Sequence, residues 1–139
     1  MFFSCEQPDP ALSPDPFKAC VVPRPIGWIS TVDAAGHRNL APFSFFNAIS
    51  ELPPMVMFCA NGEHKDGGEK DSVTEIYNLP CEEEIGRMVM GRVLGTHIAD
   101  GAIVNGRVSA ARLAPIARLG YREYAALGEI FKMTRPGTP

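Results

Sequence analysis

The stretch that decides the fold runs from residue 26 to residue 46 and reads Ile-Gly-Trp-Ile-Ser-Thr-Val-Asp-Ala-Ala-Gly-His-Arg-Asn-Leu-Ala-Pro-Phe-Ser-Phe-Phe. Its first seven positions are rich in β-branched and aromatic residues, and Asp33-Ala34-Ala35-Gly36 then supplies turn chemistry with a glycine that tolerates positive φ. We interpret the stretch as a β-hairpin with a four-residue loop and a second strand that runs from His37 to Phe46. Because Pro42 cannot donate to a ladder, it predicts a sheet edge or a bulge.

Further strands are predicted beyond the hairpin. Residues 55–60 form a continuous apolar run after Pro53-Pro54, which is typical of a strand buried on both faces. Residues 73–79 are rich in strand formers and are predicted to pair with a strand over 88–98. The alternative there is a short helix, because Ser72-Val73-Thr74-Glu75 fits a capping box.

The last third of the chain mixes one helix signal with one more strand. Ser109 is a candidate N-cap for a short helix that reaches Leu119-Gly120, and residues 126–133 predict a last strand. The pattern therefore contains six or seven short strands, one or two small helices and no βαβ alternation. It predicts a mainly β fold, an antiparallel barrel.

Length and composition favour one domain built from short elements. The chain has 139 residues, of which 13 are Gly and 13 are Pro, so many turns are expected. Residues 1–22 are rich in proline and are predicted to form an extended arm. Residues 23–135 are predicted to form a single domain, and residues 136–139 a tail.

Charge and cysteine content exclude several classes of protein. With 13 basic and 16 acidic residues the formal net charge is −3, which lacks the basic excess of a nucleic-acid-binding module. No apolar run approaches the roughly 18 residues of a membrane span, and we expect a cytoplasmic protein with no membrane partner. The four cysteines are widely spaced, so reduced thiols are favoured. A zinc site is weakly indicated, since no close ligand pair begins the set Cys59, His64, Cys81 and His97.

Three clusters of side chains could bind a ligand. Arg24 lies between two prolines, Ser44-Phe45-Phe46-Asn47 combines a hydroxyl, two rings and an amide, and Lys70-Asp71-Ser72 follows a Gly-rich loop. Together they suit a phosphorylated aromatic ligand, because cations and hydroxyls bind phosphate while rings contact a flat heterocycle. Each cluster also has a simpler interpretation, since paired phenylalanines often lie in a core and a loop lysine is often only solvated.

These clusters lie within longer runs that resemble a known family. Residues 23–31, residues 39–47 and Lys70-Asp71-Ser72 resemble the flavin reductase-like family of FMN-binding split-barrel proteins, and residues 89–98 and 113–120 are similar to its carboxyl-terminal part. The resemblance covers residues 17–72 and 73–135. That family has several dozen residues between its Lys-Asp-Thr/Ser element and the next hairpin, and here they are absent, with the join near residues 72/73.

The resemblance implies a Greek-key split β-barrel that forms a homodimer and binds FMN near the subunit interface. It implies a flavin reductase-like oxidoreductase with NAD(P)H as electron donor, in which the flavin supplies the chemistry and no catalytic side chain is named. A non-catalytic FMN-binding electron carrier and a flavin-free structural dimer are the alternatives. The implied phosphate contacts are Arg24, Lys70 and Ser72, and the implied ribityl and ring contacts are Ser30, Thr31, Ser44, Phe45, Phe46 and Asn47.

Trp28 is the single tryptophan of the chain. In an alternating strand it shares a face with Ile26, Ser30 and Val32. We therefore expect its side chain to be at least half buried near the flavin-side motif.

Overall fold

The computed structural model describes residues 16–61, 75–79 and 86–133. Strands dominate, and the described helices are each only one turn long; none of them is long and apolar enough to cross a membrane. The helices are α1 (Phe17–Cys20) and α2 (Ala110–Leu113), with a 3-10 turn at Asp100–Ala102. The strands are β1 (Gly27–Val32), β2 (Arg38–Phe43), β3 (Phe46–Glu51), β4 (Pro54–Asn61), β5 (Glu75–Leu79), β6 (Gly86–Arg92), β7 (Ile103–Val104), β8 (Arg107–Val108), β9 (Ile116–Arg118) and β10 (Tyr124–Ala126).

The strands group into one larger sheet and three hairpins. The larger sheet has the order β3-β4-β6-β5, and all of its neighbours are antiparallel. The pairs β1–β2, β7–β8 and β9–β10 each form a two-stranded antiparallel sheet. Because β4 and β6 have a hydrogen-bonded neighbour on both sides, they form the centre of the sheet.

A small core joins the first hairpin to this sheet. It contains Phe43 at the end of β2, Phe58 and Ala60 on β4, and Val89 on β6. The rings of Phe43 and Phe58 lie 4.7 Å apart between centroids and are tilted by 49°, a favourable arrangement for aromatic pairs. The core therefore depends on the apolar run 55–60 and on the residue that closes the hairpin.

The predicted first hairpin is confirmed, with a correction at its end. Gly27 pairs with Phe43 and Val32 pairs with Arg38, so the register follows the sequence pattern. The second strand ends at Phe43, whereas the sequence predicted that it would continue to Phe46. Ser44 and Phe45 form a bend, and Phe46 opens β3, a separate strand that pairs with β4.

The predicted strand over 55–60 is confirmed as the central strand β4. Phe58 and Ala60 are buried, whereas Met55, Met57 and Cys59 are half-buried, so burial on the second face is incomplete. The prediction that this strand is buried on both faces is therefore confirmed for one face and wrong for the other, which is half-buried. A strand in this sheet has one face on the small core and another that the described residues cover only in part.

The predicted pairing of 73–79 with 88–98 is confirmed in its centre, because β5 pairs with β6 and Tyr77 lies opposite Met88. Residues 73 and 74 lie outside the described residues. The ladder ends at Arg92, and the predicted extension to residue 98 is wrong. Beyond Arg92 the N–H of Val93 donates to the carbonyl oxygen of Pro54 at 2.9 Å, and β4 begins there, so no partner strand continues.

Two predictions for the last third of the chain are wrong. Helix α2 ends at Leu113, because Ala114 adopts a left-handed φ of 45° and Pro115 follows. Residues 116–118 then form β9, so the helix does not continue. The last strand is β10 over 124–126, and residues 127–133 lie outside any strand.

Parts of the predicted domain organisation lie outside the described residues. These are residues 1–15 of the arm, the join near 72/73 and the tail 136–139. Residues 16–22, also assigned to the arm, contain α1, whose backbone bonds run from Ala19 and Cys20 N–H to Pro16 O at 2.9 and 3.1 Å.

Candidate functional site

The predicted site residues divide between the first hairpin, the start of β3 and a loop. Lys70 and Ser72 lie outside the described residues, so the structure describes neither. The others, Arg24, Ser30, Thr31, Ser44, Phe45, Phe46 and Asn47, are described. They lie on or beside the β1–β2 hairpin, which makes this hairpin the centre of the candidate site.

Ser30 and Thr31 point to opposite sides of β1. Ser30 is exposed and Thr31 is half-buried, as expected for successive residues of a strand. Only the Ser30 hydroxyl therefore reaches the exposed face of the hairpin. Thr31 lies on the same side as Ile29, which packs against the core.

The run from Ser44 to Asn47 contributes unequally. Ser44 and Phe45 are half-buried, and the carbonyl oxygen of Phe45 accepts a hydrogen bond from the N–H of Cys59 at 2.8 Å. The Phe46 ring packs over Gly27 so closely that a Cβ there would lie 2.6 Å from Cδ2 of the ring. Phe46 is thus a core side chain. Asn47 is exposed, and its Oδ1 accepts from the N–H of Ala48 at 3.0 Å.

Arg24 is buried, with 7% of its surface exposed. Its Nη1 donates to the carbonyl oxygens of Lys18 and Val21, the latter at 2.7 Å, and its Nη2 donates to that of Leu119 at 2.7 Å. The Nε is closed to solvent and has no hydrogen-bond partner among the described residues. The structure therefore gives this guanidinium main-chain partners, and its predicted contact with a phosphate stays a prediction.

Trp28 is 68% exposed, and the prediction that it is at least half buried is wrong. The β1–β2 sheet covers the core with one face only, and Gly27 and Ile29 occupy that face. Alternation then directs Trp28 outward. The sequence alone does not decide between the two faces, because Ile26, Trp28 and Val32 on one face are as apolar as Gly27 and Ile29 on the other.

The outward side of the hairpin forms a continuous surface, which we call the hairpin face. Trp28 lies opposite Pro42 and Ser30 opposite Leu40, with Val32 next along β1. Leu40 is 61% exposed and Val32 48% exposed. A flat apolar surface around one hydroxyl suits a planar heterocycle, whose faces are apolar and whose edges accept hydrogen bonds. The sequence predicted Trp28 near the flavin-side motif, whereas it did not indicate Leu40 and Pro42 as members of this surface.

A carboxylate–imidazole pair closes the loop at the far end of the hairpin. Asp33 Oδ1 accepts from the N–H of His37 at 2.8 Å, and Oδ2 lies 2.7 Å from Nδ1 of the His37 ring. These hydrogen bonds, with that from the ring first, hold the pKa of the Asp33 carboxyl below its ordinary value. The pair fixes the turn, and the His37 side chain is 82% exposed.

In the four-stranded sheet, burial raises the pKa of the Cys59 thiol on β4. Within the ranges 16–61, 75–79 and 86–133, no group of three or more His, Cys, Asp or Glu side chains is placed to hold a metal ion. The arrangement offers an apolar face, a hydroxyl and an amide, which together can bind and orient a planar ligand.

Comparison with known proteins relates this hairpin to a family. Residues 19–75, which include β1 to β4, match the flavin reductase like domain. Over these residues the chain is similar to that family. A protein of Aquifex aeolicus without an assigned function is 40% identical over 81 residues, which are 58% of this chain and 40% of that protein. The chain therefore spans less than half of that relative.

A second relative, from Halalkalibacterium halodurans and also without an assigned function, is 24% identical over 183 residues. The match includes 84% of this chain and 87% of that protein. The alignment of 183 residues is longer than the 139 residues of this chain. The relative therefore contains residues with no counterpart here.

Solved structures confirm the predicted fold class. Nitrilotriacetate monooxygenase component B from Bacillus cereus superposes with a TM-score of 0.82 at 19% identity, over 96% of this chain and 98% of that one. A Shewanella frigidimarina protein described as a flavin reductase with a split barrel domain gives 0.73 at 13% identity, over 97% and 99%. Flavoredoxin from Methanosarcina acetivorans gives 0.64 at 11% identity, over 82% and 90%.

Proposed function

We propose that this protein binds FMN on the hairpin face and acts as a flavin reductase-like oxidoreductase. The observation that carries the proposal is the exposed surface of Trp28, Leu40 and Pro42 around the Ser30 hydroxyl, within a flavin reductase-like domain. A large exposed tryptophan surrounded by aliphatic side chains is unusual unless a ligand or a partner covers it. Flavin meets this requirement because its ring system is planar and largely apolar on its faces.

The residues of the hairpin face hold and orient the ring. Trp28 and Leu40 contact an apolar ring face, and the Ser30 hydroxyl and the exposed Asn47 amide can donate to or accept from polar atoms at its edge. Ser44 and Phe45, in the bend between β2 and β3, border the same end of the hairpin as Gly27 and Phe43. Phe46 supports β1 from beneath, through its contact with Gly27.

FMN is favoured over FAD by the predicted phosphate contacts. Lys70 and Ser72 offer a cation and a hydroxyl, which suit a terminal phosphate through charge-assisted hydrogen bonds. Thr31, on the inner side of β1, can contribute its main chain to the ribityl region. The proposal therefore assigns ring and ribityl contacts to the hairpin and the phosphate contact to Lys70 and Ser72.

NAD(P)H is the proposed electron donor. Bound FMN supplies hydride and electron transfer chemistry, so the chain need only bind, orient and exclude water. The hairpin face fits this division of work, because its described side chains are apolar or neutral apart from Arg38, which pairs with Val32. We assign no proton-transfer residue.

A homodimer is proposed as the assembly that covers the exposed apolar residues after β6. Leu94 is 93% exposed, Ile116 60%, Phe131 71% and Met133 81%. A second copy of the chain would bury such residues in a C2 interface, the commonest arrangement for one sequence. Sedimentation at micromolar concentration should give twice the chain mass of 15.1 kDa. A species of the single mass that retains stoichiometric flavin would contradict the dimer.

The experiment that tests flavin binding titrates the purified protein with FMN and with riboflavin while Trp28 fluorescence is recorded. As the single tryptophan, Trp28 reports on the hairpin face alone. We expect red-shifted emission before addition, because the ring is exposed, and quenching on addition of either flavin. Trp28 emission that does not change with either flavin, together with no bound flavin after gel filtration, would contradict the proposal and favour the flavin-free structural dimer.

Matched variants separate the ring contact from the phosphate contact. Trp28→Ala should weaken FMN and riboflavin alike, whereas Tyr77→Ala, which removes an exposed ring from the edge strand β5, should leave both affinities unchanged. Lys70→Ala should weaken FMN by about 1–3 kcal/mol, the usual scale for a charged hydrogen bond, and leave riboflavin unchanged. Equal wild-type affinity for the two flavins would contradict the assigned phosphate contact.

An FMN-binding electron carrier is the second candidate. Its support is the structural likeness to the flavoredoxin of Methanosarcina acetivorans described above. The two candidates differ in turnover: a reductase oxidises NAD(P)H in the steady state with added FMN, whereas a carrier binds FMN and gives no more than a single turnover.

A further inference from the structure

Arg24 is the one charged side chain that is buried among the described residues. All three hydrogen bonds of its guanidinium end on main-chain carbonyl groups. Two of these carbonyls, from Lys18 and Val21, lie in and just after α1. The third, from Leu119, follows β9 and is 95 residues away in the chain. The guanidinium thus joins the first described helix to the last described hairpin.

The main chain repeats this connection. The N–H of Arg24 donates to the carbonyl oxygen of Arg118 at 2.9 Å, and the N–H of Arg118 donates to that of Arg24 at 2.9 Å. Gly120 is buried, and a Cβ there would lie 2.8 Å from the Cβ of Ala19. Helix α1 and the segment after β9 are therefore in direct contact. We call residues 17–24 and 116–126 the clamp unit.

Arg118 stabilises the turn of the same unit. Its guanidinium carbon lies 4.6 Å from the centre of the Tyr124 ring, and it donates to the Tyr124 hydroxyl and to the carbonyl oxygen of Tyr121. One arginine therefore closes the β9–β10 hairpin, and Arg24 connects that hairpin to α1. The main chains of Arg24 and Arg118 lie side by side and form an antiparallel β-bridge.

The geometry of Arg24 leaves little capacity for a phosphate. Both N–H groups of Nη1 and one of Nη2 are used on carbonyl oxygens. The Nε hydrogen has no partner within the part of the chain that the structure describes, but the atom is closed to solvent, so an anion cannot reach it unless the clamp unit opens. An anion is bound well by arginine when it can approach two parallel N–H groups, which this arrangement does not offer from solvent.

We propose that Arg24 is a positioning residue, which holds the clamp unit together and fixes the start of β1, and that FMN phosphate is bound without it. This rests on the proposed FMN function. Arg24 lies three residues before Gly27, so the position of β1, and with it Trp28 and Ser30, depends on the clamp unit. The inference replaces the phosphate role that the sequence resemblance implied for Arg24.

The test measures flavin affinities and amide hydrogen exchange for wild type, Arg24→Gln and Arg24→Lys. We expect both variants to weaken FMN and riboflavin by the same factor, about fivefold or more, so that the ratio of the two dissociation constants stays at the wild-type value. Exchange should quicken at least tenfold over 17–24 and 116–126, and stay unchanged in β4 and β6. Arg24→Lys should not restore the wild-type affinities or exchange rates, because an ammonium group cannot donate to three carbonyls in a planar fork.

Two controls keep the outcomes distinct. Arg107→Gln removes an exposed arginine from β8 and should change neither the affinities nor the exchange of the clamp unit. The Cβ that Gly120→Ala adds would clash with Ala19, while the Arg24 guanidinium stays in place. Amide exchange should therefore quicken over 17–24 and 116–126 if the clamp unit opens cooperatively. This variant also serves if Arg24→Gln fails to fold.

Three results would overturn the proposal. A selective loss of FMN over riboflavin in Arg24→Gln, with recovery in Arg24→Lys, would assign Arg24 to the phosphate. Unchanged exchange over 17–24 and 116–126 would show that the clamp unit does not depend on it. Unchanged affinity for both flavins, with opened segments, would remove the positioning role. Failure of wild type to bind either flavin would contradict the proposed function, and the exchange result would still decide the clamp.

Discussion

The sheet region, residues 27–92, and the C-terminal region, residues 93–133, differ in how they are stabilised. Of the five buried apolar side chains among the described residues, four lie in the sheet region, and Ala102 is the one in the C-terminal region. Strand β4 pairs over seven residues with β6 and also with β3. In the C-terminal region, β7–β8 pairs over two residues and β9–β10 over three. The first region is held by its own ladder and core, and the second by the clamp unit and by whatever covers its exposed apolar side chains.

This difference shows that apolar content alone does not make a core. Leu94, Ile116 and Phe131 are as apolar as Phe43 and Phe58, yet they are 93%, 60% and 71% exposed. Burial requires a facing layer, which β1–β2 and the four-stranded sheet supply to each other. The C-terminal hairpins are too short to form such a layer, so the second subunit that we propose would take this part.

The largest expected difference between the regions comes from removing an aromatic ring from each. Phe58→Ala should lower the free energy of unfolding by about 3–5 kcal/mol, because it leaves a cavity beside Phe43 in a small core. Phe131→Ala, at an exposed position, should change it by at most about 0.5 kcal/mol in the free subunit. Urea unfolding measures both, and equal losses would contradict the assignment of the core to the sheet region.

The next effect is at a glycine of the sheet region. Gly27→Ala would place a Cβ 2.6 Å from the Phe46 ring and should destabilise by about 1–3 kcal/mol through overpacking. Gly91→Ala is the matched control, because a Cβ at this β6 position meets no atom within 4 Å. Thermal unfolding of the two variants should separate them clearly, and similar midpoints would show that Phe46 moves aside without cost.

Thiol reactivity compares the clamp unit with the sheet. Cys20 on α1 is exposed, whereas Cys59 on β4 is half-buried and its pKa is raised by burial. The thiolate is the reactive form, so Cys59 should be alkylated at least about tenfold more slowly than Cys20 at pH 7.5. Peptide mapping by mass spectrometry gives both rates, and faster alkylation at Cys59 would contradict its placement in the sheet.

The smallest expected effect is the pH dependence of the hairpin loop. The folded-state pKa of Asp33 lies below its ordinary value of 3.8, so its ionised form stabilises the loop above that value. This contribution is lost as the pH falls through the lowered folded-state pKa. Asp33→Asn should therefore reduce the loss of thermal stability between about pH 5 and pH 2. His37→Gln, which removes the ring that donates to the carboxylate, should have the same sign, and profiles parallel to wild type would contradict the role of the pair.

The hairpin and the central strand were predictable from sequence because their signals are local. Gly36 at positive φ, 87°, and the apolar run 55–60 each decide the backbone within a few residues. The strand β3 was not predictable in this way, because nothing in 46–51 alternates clearly and its pairing with β4 decides its conformation. Pro115 is a sequence signal for the end of α2 at Leu113, but the helix formers before it favour a longer helix.

The candidate site was predictable by residue type and only partly by position. The resemblance directed attention to Ser30 and Ser44–Asn47, which do gather about the first hairpin. It could not show that Phe46 supports Gly27, or that Arg24 donates to the carbonyl oxygen of Leu119, 95 residues away in the chain. Both facts come from tertiary contacts. The exposure of Trp28 follows from which side of the hairpin meets the core, and a strand pattern alone gives two equivalent choices.

Residue-resolved amide hydrogen exchange of the wild-type protein tests the contrast between the two regions most directly. We predict the slowest exchange in β4 and β6, because each is paired on both sides, and exchange that is faster by orders of magnitude over 94–99 and 127–133, which lie outside every ladder. In a dilution series that separates the subunits, exchange in the C-terminal region should quicken further while β4 and β6 keep their protection. Equal protection of both regions, unchanged by dilution, would contradict the account.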